Sequence, residues 1–236
     1  MTRFAQSGSL PGRGVATDVV LLLCLVAGLA SCRSDPPPGL VEQGDAAWSA
    51  GSFSRADDLY SRALVEDPNS RAALLGRARA AVALHDPERA LGFHGALARI
   101  DRAYWQRQAR DDYARALREA ARVRLAAGRA EGAVAALRAL RRIAPEDTDA
   151  REALARALVA RAAQLAMQAD REAALALYQE AIAIDAREVA AYVGAAEILI
   201  GSGRKQEAMT LLELARQTDP TDNRVRALTL EAMGLN

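Results

Sequence analysis

The sequence predicts an all-α chain, a stack of antiparallel helical hairpins closed by a C-terminal capping helix. Three observations point there. Residues of the apolar class make up 51% of the 236, and most of them are Ala and Leu, both strong helix formers. From about Leu40 onward the apolar residues follow a helical period, with no β-branched alternating run. Small residues also recur at a fixed interval: Ala56 and Ala90 stand 34 residues apart, as do Ala174 and Ala208. An interval of that size marks a repeat architecture, in which one hairpin cannot bury its own face and neighbours stack.

The N-terminal segment reads as a targeting sequence. Arg3 and Arg13 form a basic region ahead of an apolar run of twelve residues, 19–30, with Asp18 at its edge. As a helix that run spans roughly 18 Å, too short for a hydrocarbon core of ~30 Å, and it fits the apolar region of a secretory signal peptide. It ends in Leu29-Ala30-Ser31-Cys32, which resembles a bacterial lipobox. The small residues suit the peptidase cleft, and the thiol accepts the diacylglycerol. The resemblance implies cleavage after residue 31, acyl chains (palmitate among them) on Cys32, and a mature chain with no other cysteine, since Cys24 is removed. An ordinary signal peptide, cut near Ala30, is the other reading. Cleavage also takes away Arg3, Arg13 and Asp18, leaving 29 basic and 29 acidic residues, so no polybasic patch assists the lipid anchor. Residues 32–39 (Ser-Asp-Pro-Pro-Pro-Gly after Cys32-Arg33) read as a short, stiff tether. Arg33 in place of Asp after the lipidated Cys points, by analogy with enteric bacteria, to the outer membrane, facing the periplasm.

The repeats follow. The stretch Gly51-Ser52-Phe53-Ser54-Arg55-Ala56-Asp57-Asp58-Leu59-Tyr60 runs on to Asp67-Pro68 and closely resembles the second helix of a tetratricopeptide repeat. That family carries a large residue at repeat position 4, small ones at 8 and 20, Tyr or Phe at 24 and Pro at 32. Laid along the chain, the frame gives five units: 37–70, 71–104, 114–147, 155–188 and 189–222. Position 20 is Ala56, Ala90, Ala133, Ala174 and Ala208. Position 8 is Gly44, Ala78, Ala121, Ala162 and Ala196; position 24 is Tyr60, His94, Leu137, Tyr178 and Leu212. Gly51, Gly128 and Gly203 mark the turn inside three units, where a left-handed C-cap ends the first helix. Insertions precede units three and four. The first covers 104–112, with Tyr104 and Trp105, and reads either as extra helical turns or as a break between two sub-stacks. Residues 223–236 read as a capping helix and tail, with Val225, Leu228 and Leu230 toward the stack.

The residues offer little chemistry. His85 and His94 are the two histidines; His85 falls at an inter-helix turn and His94 at packing position 24. Asp57-Asp58 and Asp111-Asp112 are adjacent on helices, point about 100° apart and do not face each other. Ser202 has no histidine near it, and Gly201-Ser202-Gly203 is a helix turn rather than a phosphate loop. The expectation is therefore no catalytic site, no metal and no cofactor, and the balanced charge argues against nucleic acid as a partner.

Resemblance to tetratricopeptide domains implies a groove lined by the first helix of each unit. By position it takes in Trp48, Arg79, Arg115, Arg118, Arg122 and Arg156, flanked by apolar residues such as Leu75 and Val193. The arginines either hold an acidic or C-terminal peptide segment through bidentate contacts, or are simply solvated. A one-residue slip in unit three would undo part of the patch. The expected function is a lipid-anchored scaffold that binds other proteins during assembly of an envelope machine for pili, secretion, outer-membrane proteins or polysaccharide export. The alternatives are an adaptor for peptidoglycan-modifying enzymes and a soluble periplasmic protein released by ordinary signal peptidase.

Overall fold

The computed structural model describes residues 38–235. The expected signal peptide, 1–31, the expected lipidation position Cys32 and the expected tether as far as residue 37 lie outside the described residues. From Leu40 the chain forms one unit. Among the described residues it is helical without a strand: α1 (Leu40–Ser49), α2 (Phe53–Glu66), α3 (Arg71–Ala83), α4 (Pro87–Ile100), α5 (Arg110–Ala126), α6 (Ala130–Ile143), α7 (Thr148–Met167), α8 (Arg171–Ile184), α9 (Val189–Gly201), α10 (Lys205–Thr218) and α11 (Asn223–Met233). None of these helices is long and apolar enough to cross a membrane.

The recurring small residues are the ones with no room around them. Ala56, Ala90, Ala133, Ala174 and Ala208 are all fully buried, and Ala78, Ala121, Ala162 and Ala196 at the facing position nearly so. Paired helices approach where both carry only a methyl group, and the larger side chains fill the space beside that contact. Tyr60, His94, Leu137, Tyr178 and Leu212 are all buried there. The core is a run of such layers from α1 to α11, with its broadest part between α5 and α9.

Among the described residues each of the five hairpins turns through one residue with positive φ. Gly51, Gly128 and Gly203 adopt φ of +72°, +70° and +76°, and His85 and Ala169 take the same place at +58° and +65°. The hydrogen bonds are those of a Schellman cap: Gly51 N–H donates to the Trp48 carbonyl and Ser52 N–H to the Ala47 carbonyl, both at 2.9 Å. The pattern repeats at Ala169, whose N–H reaches Ala166 while Asp170 N–H reaches Leu165, both at 3.0 Å. A Cβ in this conformation costs about 1 kcal/mol. Ala169→Gly is therefore expected to raise stability by about 0.5–1 kcal/mol, net of the extra freedom glycine gives the unfolded chain. A urea titration followed by circular dichroism measures it.

Both insertions are helical. The first is a single helical turn, Arg102–Tyr104, and a π-helical stretch, Trp105–Ala109, running into α5. Packing continues across it, since Ala116 of α5 clusters with Ala81 of α3 and Ala90 of α4. The second lengthens α7 at its N-terminus, capped by Asp147, whose carboxylate accepts from Ala150 N–H at 2.9 Å. The capping helix departs from expectation in one residue. In α11, Val225 and Ala232 are buried and Leu228 packs beside them, but Leu230 is 43% exposed. The inward stripe runs at 225, 228 and 232, one helical face, and position 230 falls off it.

Candidate functional site

The first helices of three successive hairpins meet at a recess of about 120 Å³. α1 contributes Trp48, α3 contributes Arg79, Val82 and Ala83, and α5 contributes Asp112 and Arg115. Trp48 is half-buried, its ring tilted against Phe53 with centroids 4.8 Å apart, so the indole is held rather than loose. At the base, Asp112 is 5% exposed. It accepts from Arg79 Nε at 2.8 Å and from Arg115, one turn along its own helix. Asp111 beside it faces solvent, as adjacent residues on a helix diverge. Two guanidinium groups against one carboxylate leave the recess with one surplus positive charge.

The recess thus joins three of the six residues expected to line a groove: Trp48, Arg79 and Arg115. The other three do not line it. Arg118 pairs with Asp147, the cap of α7. Arg122 pairs with Glu119 on its own helix at 2.6 Å. The hydrogen bond from Arg122 holds the Glu119 carboxyl down at about 2, with a smaller contribution from His85, whose Nδ1 is 3.2 Å away. Arg156 is exposed on α7, and its charge acts on Glu188. Two flanking residues assigned to the groove by position, Leu75 and Val193, are buried at 5% and 1% exposure and belong to the core instead.

The sequence shows Asp112 only as half of an adjacent acidic pair and does not place it at the base of the recess. Its signal is faint, because it lies in the inserted segment where the repeat frame offers no position for it. Asp112→Asn keeps the shape and removes the charge from two partly exposed arginines, which water can then solvate. The expected cost is about 1–2 kcal/mol, below that of a fully buried ion pair, and is read from the urea midpoint.

A second buried feature lies on the other side of Asp112. His94 of α4 is 1% exposed and stands edge-on to Tyr113, with ring centroids 5.3 Å apart. Neither of its ring nitrogens has a hydrogen-bond partner among the described residues, nor does Nε1 of Trp105. Burial pushes the imidazole down to about 4; the charge of Asp112 pulls it up and that of Arg79 pushes it further down.

The profile of the tetratricopeptide repeat family matches residues 165–231, which span α8 to α10 and most of α11. Among solved structures, a TPR repeats protein from Bacteroides fragilis aligns over 86% of this chain and all of its own, with a TM-score of 0.60 at 12% identity. The fold is a tetratricopeptide-repeat solenoid. YrrB, described as a TPR protein with an unusual peptide-binding site, aligns over 89% of this chain and 97% of its own at 18% identity, with a TM-score of 0.43. PilF of Pseudomonas aeruginosa aligns over 83% and 82% at 16% identity, with a TM-score of 0.40. No curated protein matches the sequence. In this solenoid the recess of Trp48, Arg79 and Arg115 is where first helices from three repeats converge.

Proposed function

We propose that this chain is a non-enzymatic scaffold, anchored by lipid on Cys32 to the periplasmic face of the outer membrane. It holds a segment of another envelope protein in the recess between α1, α3 and α5. The observation that carries the reading is the convergence of Trp48, Arg79 and Arg115 on one recess. Tryptophan and arginine are the residue types that dominate binding hot spots, because each combines a large apolar surface with a directed donor. The surplus positive charge suits an acidic segment or a C-terminal carboxylate, bound by charge-assisted hydrogen bonds. The signal-peptide pattern ending at Cys32, and Arg33 after it, support the location. Partners of the assembly class, in pili, secretion, outer-membrane insertion or polysaccharide export, fit a scaffold that brings its own anchor.

Crosslinking and affinity isolation from native envelope tests this. Wild type is expected to bring down a defined set of envelope components, and Arg79→Glu with Arg115→Glu to lose them by at least tenfold, since each reversed charge repels the carboxylate. Cys32→Ala is expected to move the protein to the soluble periplasmic fraction. A wild type that is already soluble overturns the anchor. Equal capture by the charge-reversed variant overturns the recess.

A further inference from the structure

The last helix presents a face that the preceding hairpin covers. Arg226, Thr229, Leu230 and Met233 of α11 follow one another at helical spacing, on a different side from the buried Val225 and Ala232. Each lies 34 residues after a residue of α9: Tyr192, Ala195, Ala196 and Leu199. Those four are buried, and Tyr192, Ala196 and Leu199 cluster with Ala208 and Leu212 of α10, the second helix of their hairpin. In α11 the four equivalent residues line an open groove of about 200 Å³, with Arg216 and Pro220 as its other wall. Leu230 and Met233 are exposed there, and no second helix covers them among the described residues.

The face differs from its equivalent in one decisive residue. Ala196 lets α10 approach closely, whereas Leu230 stands out from α11 and needs a hollow opposite. Thr229 supplies that hollow on an antiparallel copy of the same helix. Its hydroxyl donates to the Val225 carbonyl of its own helix at 2.7 Å, so it brings no unmatched polar atom. With a two-fold axis between 229 and 230, Leu230 faces Thr229 of the second copy and Arg226 faces Met233. The charges agree with this register. Arg226 is exposed and makes no ion pair among the described residues. It would lie over the C-terminal end of the second copy's α11, where the helix dipole is negative. Asp222, the carboxylate lining the groove, is committed to the N–H groups of Arg224 and Val225 at 2.7 and 3.1 Å. The two Arg226 positions stand about 10 Å apart along the helices. A formal net charge of +1 sets up little repulsion between copies.

We propose that two copies of this chain associate through α11, with the helices antiparallel about a two-fold axis between Thr229 and Leu230. Each copy takes the place that a second helix holds in the earlier hairpins. A contact of this isologous kind closes on itself and leaves no free end to extend into a fibre. It buries one helix face per copy, well under the ~1,600 Å² of a standard interface, so the dimer is weak and dissociates at about 10–100 µM. The interface is independent of the recess at Trp48, and either can exist without the other.

Sedimentation equilibrium of the full chain, purified as the cell processes it, measures the association. A monomer–dimer equilibrium in that range is expected, weakened about tenfold or more by Leu230→Asp and about fivefold by Arg226→Glu. Both positions are exposed, so the fold stays intact, and circular dichroism verifies it. Oxidation of introduced cysteines reads the register. Thr229→Cys, beside the axis, is expected to form a disulfide between copies above the background of the unsubstituted chain. Arg226→Cys, about 10 Å from its counterpart, is expected to form none. A wild type that stays monomeric up to about 1 mM overturns the proposal, as does a dimer that Leu230→Asp leaves unchanged. Disulfides formed as readily from Arg226→Cys as from Thr229→Cys overturn the antiparallel register. Adducts of Thr229→Cys with other proteins alone overturn the choice of a second copy.

Discussion

Gly76→Ala is expected to destabilise the solenoid by about 2 kcal/mol, although alanine in a helix interior is intrinsically better than glycine by ~1 kcal/mol. A Cβ on Gly76 would lie 2.5 Å from Cζ of Tyr60, with two more ring carbons within 2.7 Å. The ring cannot retreat. A Cβ on Gly44, on its other side, would meet it at 2.5 Å as well, and the phenol donates to Asp45 at 2.6 Å. Overpacking therefore outweighs propensity. Gly92→Ala in α4 reverses the sign: that glycine is exposed with no atom within 4 Å, so the gain of ~0.5–1 kcal/mol in propensity stands alone. The urea midpoints of the two variants are expected to move in opposite directions. Removing the ring as well, in Tyr60→Leu with Gly76→Ala, is expected to give less than the sum of the single losses, because one collision is counted twice.

Acid is expected to weaken the fold well above the range in which carboxylates titrate. His94 sits near 4 in the folded chain because burial disfavours its cation, while in the unfolded chain it takes a proton near 6.5. A base with a lowered folded value contributes its full stability above about 6.5 and loses it as pH falls toward 4. The slope is ~1.4 kcal/mol per pH unit, about 3 kcal/mol across the window. The carboxylates held low by arginine, such as Glu88 and Glu119, add their own losses only as pH falls through the ordinary carboxylate range near 4.5 and below it. Between pH 6.5 and 5 the slope is thus chiefly that of His94. His94→Leu, which places there the residue found at the equivalent Leu137 and Leu212, is expected to flatten this part of the profile. A profile equally steep in the variant would show that His94 is not the group responsible.

Much of this architecture is legible in the sequence because it rests on local rules. Ala at position 20 is a packing necessity, and glycine at Gly51, Gly128 and Gly203 is a backbone one. His85 and Ala169 carry the same conformation without the residue type that signals it, so the turn there follows only from the repeat register. The site was less legible. A pair such as Arg122 with Glu119 is three residues apart and visible on a helix face. Arg79 with Asp112, or Arg124 with Glu88 at 2.8 Å, joins different hairpins, and no local spacing announces it. A basic stripe read by position therefore became a set of arginines largely paired within the chain, with the surplus confined to one recess. The same holds for His94 and Trp105: position 24 identified a packing site, but only the fold shows that both side chains are buried without partners.

The proposed function has the recess at Trp48 receive a protein segment. The most direct measurement is site-specific photocrosslinking in living cells, with a benzophenone amino acid in place of Trp48 and, separately, in place of the exposed Glu172 on α8. A discrete higher-mass adduct is expected from position 48, lost on adding Arg115→Glu, and none of that mass from position 172. The same adducts from both positions, or none from position 48, would show that the recess does not receive a partner.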